Sequence, residues 1–256
     1  MSEDFFSLKM LIVSEAAPER ELLRQAALQV SVPVDVSEIE TVGDPIATGE
    51  LLARGDYDAV FFDSRLAKPA RQFLLDAIRA APSHPLAILI GPAQMKTREV
   101  LTDGLEVDSA LAKPIDLQEV RDLIGRCIRA RLPKRVLIVD DSSTVRSVIR
   151  KVLLASRFRL ETEEAPDGAV AIALAKKQRF DIVFLDCEMP VIDGFAALAE
   201  FKRAHAGMEV IMITGTRDFR IEDRARAGGA KDFLFKPFFA KDVDAVLNRL
   251  FGLTAV

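Results

Sequence analysis

Five polar residues stand at the ends of short apolar runs. Asp140 and Asp141 follow Val136-Leu137-Ile138-Val139, Asp186 follows Ile182-Val183-Phe184-Leu185, Thr214 follows Val210-Ile211-Met212-Ile213, and Lys236 follows Phe233-Leu234-Phe235. In a parallel α/β sheet, ligands bind just outside the carboxyl ends of the strands, so runs of this kind bring their terminal side chains together. Three carboxylates crowded in one place repel one another unless a cation neutralises them. An all-oxygen donor set with open positions suits Mg²⁺. The lysine ammonium and the threonine hydroxyl add donors for the oxygens of a transferring phosphoryl group, and a carboxylate can act as its nucleophile. The chemistry indicated is Mg²⁺-assisted phosphoryl transfer with one of the carboxylates as acceptor.

The elements that must position these residues follow from periodicity. Strand-length apolar runs alternate with segments of helical period, the pattern of βαβ units and a parallel sheet. Strands are expected near 136–140, 159–163, 182–186, 209–214 and 232–235, and helices near 143–155, 168–177, 194–204, 220–227 and 240–251. Ser142 and Asp167 are suited to cap helix N-termini. Asp193-Gly194 and Gly228-Gly229 mark turns in which glycine supplies positive φ.

The chain repeats this plan. Met10-Leu11-Ile12-Val13 recurs as Val136-Leu137-Ile138-Val139. A shift of 123 positions pairs Asp58-Ala59-Val60-Phe61-Phe62-Asp63 with Asp181-Ile182-Val183-Phe184-Leu185-Asp186, and Ser109-Ala110-Leu111-Ala112-Lys113-Pro114 with Asp232-Phe233-Leu234-Phe235-Lys236-Pro237, without a gap. Two doubly wound α/β domains with five-stranded parallel sheets are therefore expected, over residues 1–132 and 133–256. Proline ends the last helix of the first copy (116–131) at Leu132-Pro133-Lys134. So short a linker implies a defined packing of the domains, with that helix as a rigid spacer.

Composition bounds the function. A chain of 256 residues, half of them apolar, suffices for two domains with cores of their own. No run approaches the roughly 18 uncharged apolar residues of a membrane span, and Met1 to Lys9 lack the basic start of a signal peptide, so a cytoplasmic protein without membrane contact is expected. Cys127 and Cys187 stand alone in apolar contexts, and with two histidines, His84 and His205, neither disulfides nor a zinc site is indicated. Residues 1–132 hold 15 Lys+Arg against 21 Asp+Glu, and 133–256 hold 20 against 18. Neither copy has the strong positive charge that nucleic-acid binding needs.

Residues 134–256 resemble the receiver domain of two-component response regulators, the chemotaxis-regulator-like family. The likeness is carried by Val-Leu-Ile-Val-Asp-Asp-Ser (136–142), Phe-Leu-Asp-Cys-Glu-Met-Pro-Val-Ile-Asp-Gly (184–194), Ile-Thr-Gly (213–215) and Phe-Leu-Phe-Lys-Pro-Phe (233–238), in order and at family spacing. It implies a flavodoxin-like (βα)5 fold. It also implies that Asp186 accepts a phosphoryl group from a phosphohistidine on a sensor histidine kinase or a histidine phosphotransfer protein. Asp141, Asp186 and the Glu188 backbone carbonyl would bind Mg²⁺ directly, with Asp140 acting through water. Lys236 would contact a phosphoryl oxygen, Thr214 would move to hydrogen-bond another, and Phe233 would turn inward as Thr214 moves, reshaping the face of the fourth helix, fifth strand and fifth helix. The family often has a cis bond at Lys-Pro. Glu188 and Thr216 resemble the positions that tune phosphate lifetime. The outer part of the first helix of the repeat receives the phosphotransfer partner in this family, which singles out Val145 among Val145, Val148, Ile149 and Val152.

Plainer readings stand beside these. An aspartate pair at a strand end also caps helices, and Asp140-Asp141 alone would be read that way. An aromatic in a strand, such as Phe233, is most often core. In the first copy Ser14-Glu15 replaces the acidic pair, Gly91 the threonine and Ala110 the aromatic, while Asp63 and Lys113-Pro114 persist. The first copy is thus expected to be a degenerate receiver, its Asp63 and Lys113 forming a structural ion pair with Glu15. Nothing after the second copy reads as an effector, so the expected output is binding to an unidentified protein, with a homodimer compatible. No separate nucleophile and base suggest an independent enzyme, and self-dephosphorylation is the sole turnover expected. A constitutive adaptor or dimerisation scaffold is the competing reading.

Overall fold

The structure, a computed structural model, describes residues 7–39, 45–92, 107–190, 192–205 and 207–253. The chain divides into two compact units at Leu132 and Pro133. The first contains β1 (Leu8–Val13), α1 (Ala17–Ala27), β2 (Val34–Ile39), α2 (Pro45–Arg54), β3 (Ala59–Asp63), α3 (Lys68–Ala80), β4 (Leu86–Pro92), β5 (Ser109–Lys113) and α4 (Leu117–Arg131). The helix that the repeat demands between β4 and β5 falls outside the described residues. The second contains β6 (Lys134–Val139), α5 (Ser143–Leu154), β7 (Leu160–Ala165), α6 (Gly168–Lys177), β8 (Ile182–Asp186), α7 (Gly194–Ala204), β9 (Glu209–Thr214), α8 (Phe219–Ala227), β10 (Asp232–Phe235) and α9 (Ala240–Phe251).

Each unit has a five-stranded, all-parallel sheet, ordered β2-β1-β3-β4-β5 in the first and β7-β6-β8-β9-β10 in the second. In chain order both read 2-1-3-4-5, the flavodoxin-like arrangement. Helices cover both faces of such a sheet, so the central strands must be apolar on both sides. Every residue of β3 and of β8 is buried accordingly, down to the aspartate that ends each. The repeat extends to single contacts: Asp58 accepts a hydrogen bond from the Lys9 amide at 3.0 Å, and its counterpart Asp181 accepts one from the Arg135 amide at 2.8 Å.

Helix starts follow local chemistry. Ser142, Asp167 and Asp193 cap α5, α6 and α7 by accepting from the amides of Val145, Val170 and Ala196. The strand β7 ends two residues later than its apolar pattern suggests, because Glu161, Glu163 and Glu164 occupy an edge strand whose length is set by pairing with β6. Two of the glycines do not supply positive φ. Gly228 is right-handed and Gly229, at φ +94, makes the turn after α8. Gly194 is needed for close approach, since a Cβ there would lie 2.2 Å from the Asp186 carbonyl oxygen. The helix α4 packs on α1 and ends in Arg131, which is buried and bonded to Asp58 at 3.0 Å and to the Ser83 and His84 carbonyls.

Candidate functional site

At the carboxyl end of the second sheet, β6 and the turn after it supply Asp140 and Asp141, and β8 supplies Asp186. One carboxylate oxygen from each of the three lies within 4.8 Å of the others. The residue after β10, Lys236, completes the cluster: its Nζ donates to Asp140 Oδ2 and to Asp186 Oδ1, both at 3.0 Å. The other oxygen of Asp140 accepts the Ser142 amide at 2.9 Å. Asp140 and Asp186 are buried, whereas Asp141 is exposed, which leaves one side of the cluster open to solvent.

Charge is unbalanced here. Burial, followed by the neighbouring charges of Asp140 and Asp141, pushes the Asp186 carboxyl above its ordinary value even though Lys236 acts against them. Burial also acts to lower Lys236, but its bonds to Asp140 and Asp186 outweigh that and hold it above the ordinary lysine value. Three carboxylates against one ammonium leave two negative charges, the complement of one divalent cation. The donor set therefore fits Mg²⁺, with oxygens alone as ligands.

The remaining residues singled out in the sequence surround this cluster. Thr214 ends β9 and is buried; its Oγ1 accepts the Thr216 amide at 3.1 Å and donates to the Thr216 carbonyl. Glu188 is exposed two residues beyond Asp186. Phe233 is buried in the core, its ring stacked on Phe235 at 6.2 Å between centroids and covered by Arg226. The Lys236-Pro237 bond is cis, as is Lys113-Pro114. On α5, Ile149 is core and Val145 half-buried, while Val148, 53% exposed, is open to solvent, as is Leu154 at the helix end. Cys187 lies beside Asp186, but burial and then the charges of Asp186 and Glu188 push its thiol up to about 12, which makes it inert.

The equivalent place in the first unit is built differently. Ser14 replaces Asp140 and reproduces its turn contact, with the Ala16 amide donating to the hydroxyl at 3.2 Å. Lys113 Nζ bonds Asp63 at 3.0 Å, as the equivalence predicts, but its second partner is Glu19, at 2.5 Å. Glu15, the partner expected from the sequence, is exposed. Glu19 wins because it lies in the first turn of α1, where Ser14 Oγ also holds it at 3.0 Å. Arg65, which the 123-residue shift pairs with Glu188, donates through its guanidinium to Asp63 at 2.6 Å and to Glu19 at 2.9 Å. Against burial, the Arg65 and Lys113 bonds bring the Asp63 carboxyl down to about 2. Asp63 and Glu19 are thus each bonded by both cations, and the exposed Glu15 lines the same pocket as Asp63 and Arg65. Sequence reasoning missed Glu19 and Arg65; the charge reversal between Arg65 and Glu188 was visible, but the contact to Glu19 spans 46 residues. Gly91 and Ala110 sit where expected, on β4 and β5.

Two doubly wound units with strand-end carboxylates and a lysine define a class of α/β protein that acts at the carboxyl edge of its sheet. Comparison with known proteins gives the family. A model of the response regulator receiver domain matches residues 136–248. The chain is 40% identical over 118 residues to protein CcdB of Bacillus subtilis (strain 168), covering 46% of this chain and 98% of that protein. It is 36% identical over 115 residues to the chemotaxis protein CheY of the same organism, covering 45% and 95%. The solved structure of a probable two-component system response regulator/GGDEF domain protein shares the fold across both units, with a TM-score of 0.53, 23% identity and coverage of 96% of this chain and 99% of that one. The chain belongs to the response regulator receiver domain family of two-component systems. No described helix is long and apolar enough to cross a membrane.

Proposed function

We propose that the second unit takes a phosphoryl group onto Asp186 from a phosphohistidine of a sensor histidine kinase or phosphotransfer protein, and that the change is read out by protein binding. The observation that carries this reading is the charge imbalance of the cluster: Asp140, Asp141 and Asp186 have carboxylate oxygens within 4.8 Å of one another, and among the described residues Lys236 is the cation bonded to those carboxylates. In the transfer an Asp186 oxygen forms a bond to phosphorus, the P–N bond breaks, and the imidazole leaves with a proton from solvent. Asp140, Asp141, Asp186 and the Glu188 carbonyl would hold Mg²⁺, which when bound offsets charge on the phosphoryl oxygens. Lys236 exchanges an aspartate partner for a phosphoryl oxygen. Thr214 releases Thr216 to donate to another, and Phe233 repacks on the face of α8, β10 and α9. Side chains there, among them Phe219 at 82% and Phe239 at 61% exposure, offer apolar area to a partner.

In the same reading the first unit is a degenerate receiver. Arg65 and Lys113 already occupy Asp63 and Glu19, so a divalent cation or a phosphoryl group would have to displace two cations to reach Asp63. Mass spectrometry after incubation with acetyl phosphate and Mg²⁺ tests both statements. One phosphoryl group is expected on the wild type and on Asp63→Asn, and none on Asp186→Asn. Label that persists in Asp186→Asn and disappears in Asp63→Asn would reverse the assignment.

A further inference from the structure

The acidic pair is gripped from behind by a residue that the chemistry above does not use. Arg146, on the first turn of α5, donates from Nη1 to the Asp140 carbonyl at 2.8 Å and to the Asp141 carbonyl at 3.4 Å. Its Nε donates to Glu164 Oε2 on β7 at 3.1 Å, and Arg150 meets the other oxygen of Glu164 at 3.4 Å. The Arg146 side chain is 14% exposed. A planar guanidinium can span two acceptors in fixed directions, which a lysine cannot, so the strand-to-helix turn is locked to the neighbouring strand through one side chain. The first unit repeats the contact although its acidic pair is gone: Arg20 Nη1 donates to the Ser14 carbonyl at 2.8 Å. In both units the arginine bonds the turn, which carries two aspartates in the second where the first has Ser14 and Glu15.

We infer that Arg146, oriented by Glu164, is a positioning residue for the divalent cation: it holds the Asp140-Asp141 backbone so that both carboxylates face Asp186. The inference rests on the Mg²⁺ reading given under Proposed function. Partners that orient the ligands of a metal typically contribute 10- to 100-fold to its affinity. Titration calorimetry of the full chain with MgCl2, at a temperature where melting curves show both units folded, is the test. Arg146→Ala should weaken Mg²⁺ binding at least tenfold, and Arg146→Lys should recover only part of the loss. Arg20→Ala should leave Mg²⁺ affinity within twofold of wild type while lowering the stability of the first unit. Arg146→Ala binding Mg²⁺ as the wild type does would overturn the inference, and if that variant does not fold, wild-type affinity in Arg146→Lys would do so. A wild-type protein with no Mg²⁺ binding lost in Asp186→Asn would instead sink the metal reading itself.

Discussion

Replacing Asp63 by asparagine should destabilise the first unit by roughly 2 kcal/mol at neutral pH. Arg65 and Lys113 draw the Asp63 carboxyl from its ordinary 3.8 down to about 2, against the opposing effect of burial. Each tenfold change in the acid dissociation constant corresponds to about 1.4 kcal/mol of preference for the ionised form in the folded state. The side chain is almost wholly buried, so solvent screening removes little of this. Asparagine keeps the acceptor for the Arg65 amide, which Asp63 Oδ1 receives at 2.9 Å, and loses the charge. The chain offers an assay free of labels: it has no tryptophan and one tyrosine, Tyr57, which is buried in the first unit. Urea unfolding followed by Tyr57 fluorescence, with EDTA present, therefore reports that unit. With a slope of roughly 1–3 kcal/mol per molar urea, the midpoint should fall by about 1 M. The sign with pH is fixed. A depressed carboxyl pKa contributes stability that is complete above its unfolded value, so the gap between wild type and variant should be full at pH 6 and close between pH 4 and about 2. A midpoint unchanged or raised at pH 7 would refute this account, because the burial of Asp63 would then outweigh its ion pairs.

Asp186→Asn should act in the opposite sense on the second unit: without divalent cation it should melt higher than wild type, because its carboxyl is raised by burial and by Asp140 and Asp141. Wild type in EDTA should gain stability as pH falls from neutral, and Mg²⁺ at 100 times its Kd should restore about 2.7 kcal/mol to wild type alone, measured by calorimetry. Gly194→Ala should cost roughly 1–3 kcal/mol and slow labelling by acetyl phosphate, since the added methyl meets the Asp186 carbonyl oxygen at 2.2 Å. Arg131→Ala strips Asp58 of its buried cationic partner and should lower Tyr57-detected stability by about 3–5 kcal/mol; a loss below about 1 kcal/mol would show that the pair is structurally idle.

Much of this protein is legible without coordinates. Parallel strands buried on both faces demand continuous apolar runs, which is why β8 and β9 begin and end where the sequence places them. A polar residue closing such a run can only lie at the edge of the sheet, so Asp140, Asp186, Thr214 and Lys236 are identifiable from position alone. Helix caps at Ser142 and Asp167 are equally local, resting on contacts within one turn. Contacts between distant segments are not legible. Glu19 rather than Glu15 reaches Lys113 because Glu19 lies in the first turn of α1 whereas Glu15 precedes the helix and is exposed. Arg65 closes the first cluster, Arg146 and Glu164 brace the second, and Val148 is more open to solvent than Val145 on α5. Sequence thus determined the fold and which residue types gather at each sheet edge, because both depend on periodicity along the chain. Tertiary structure decided which cations each cluster meets, Arg65 and Lys113 in the first unit and Lys236 in the second, because that depends on which side chains meet across strands.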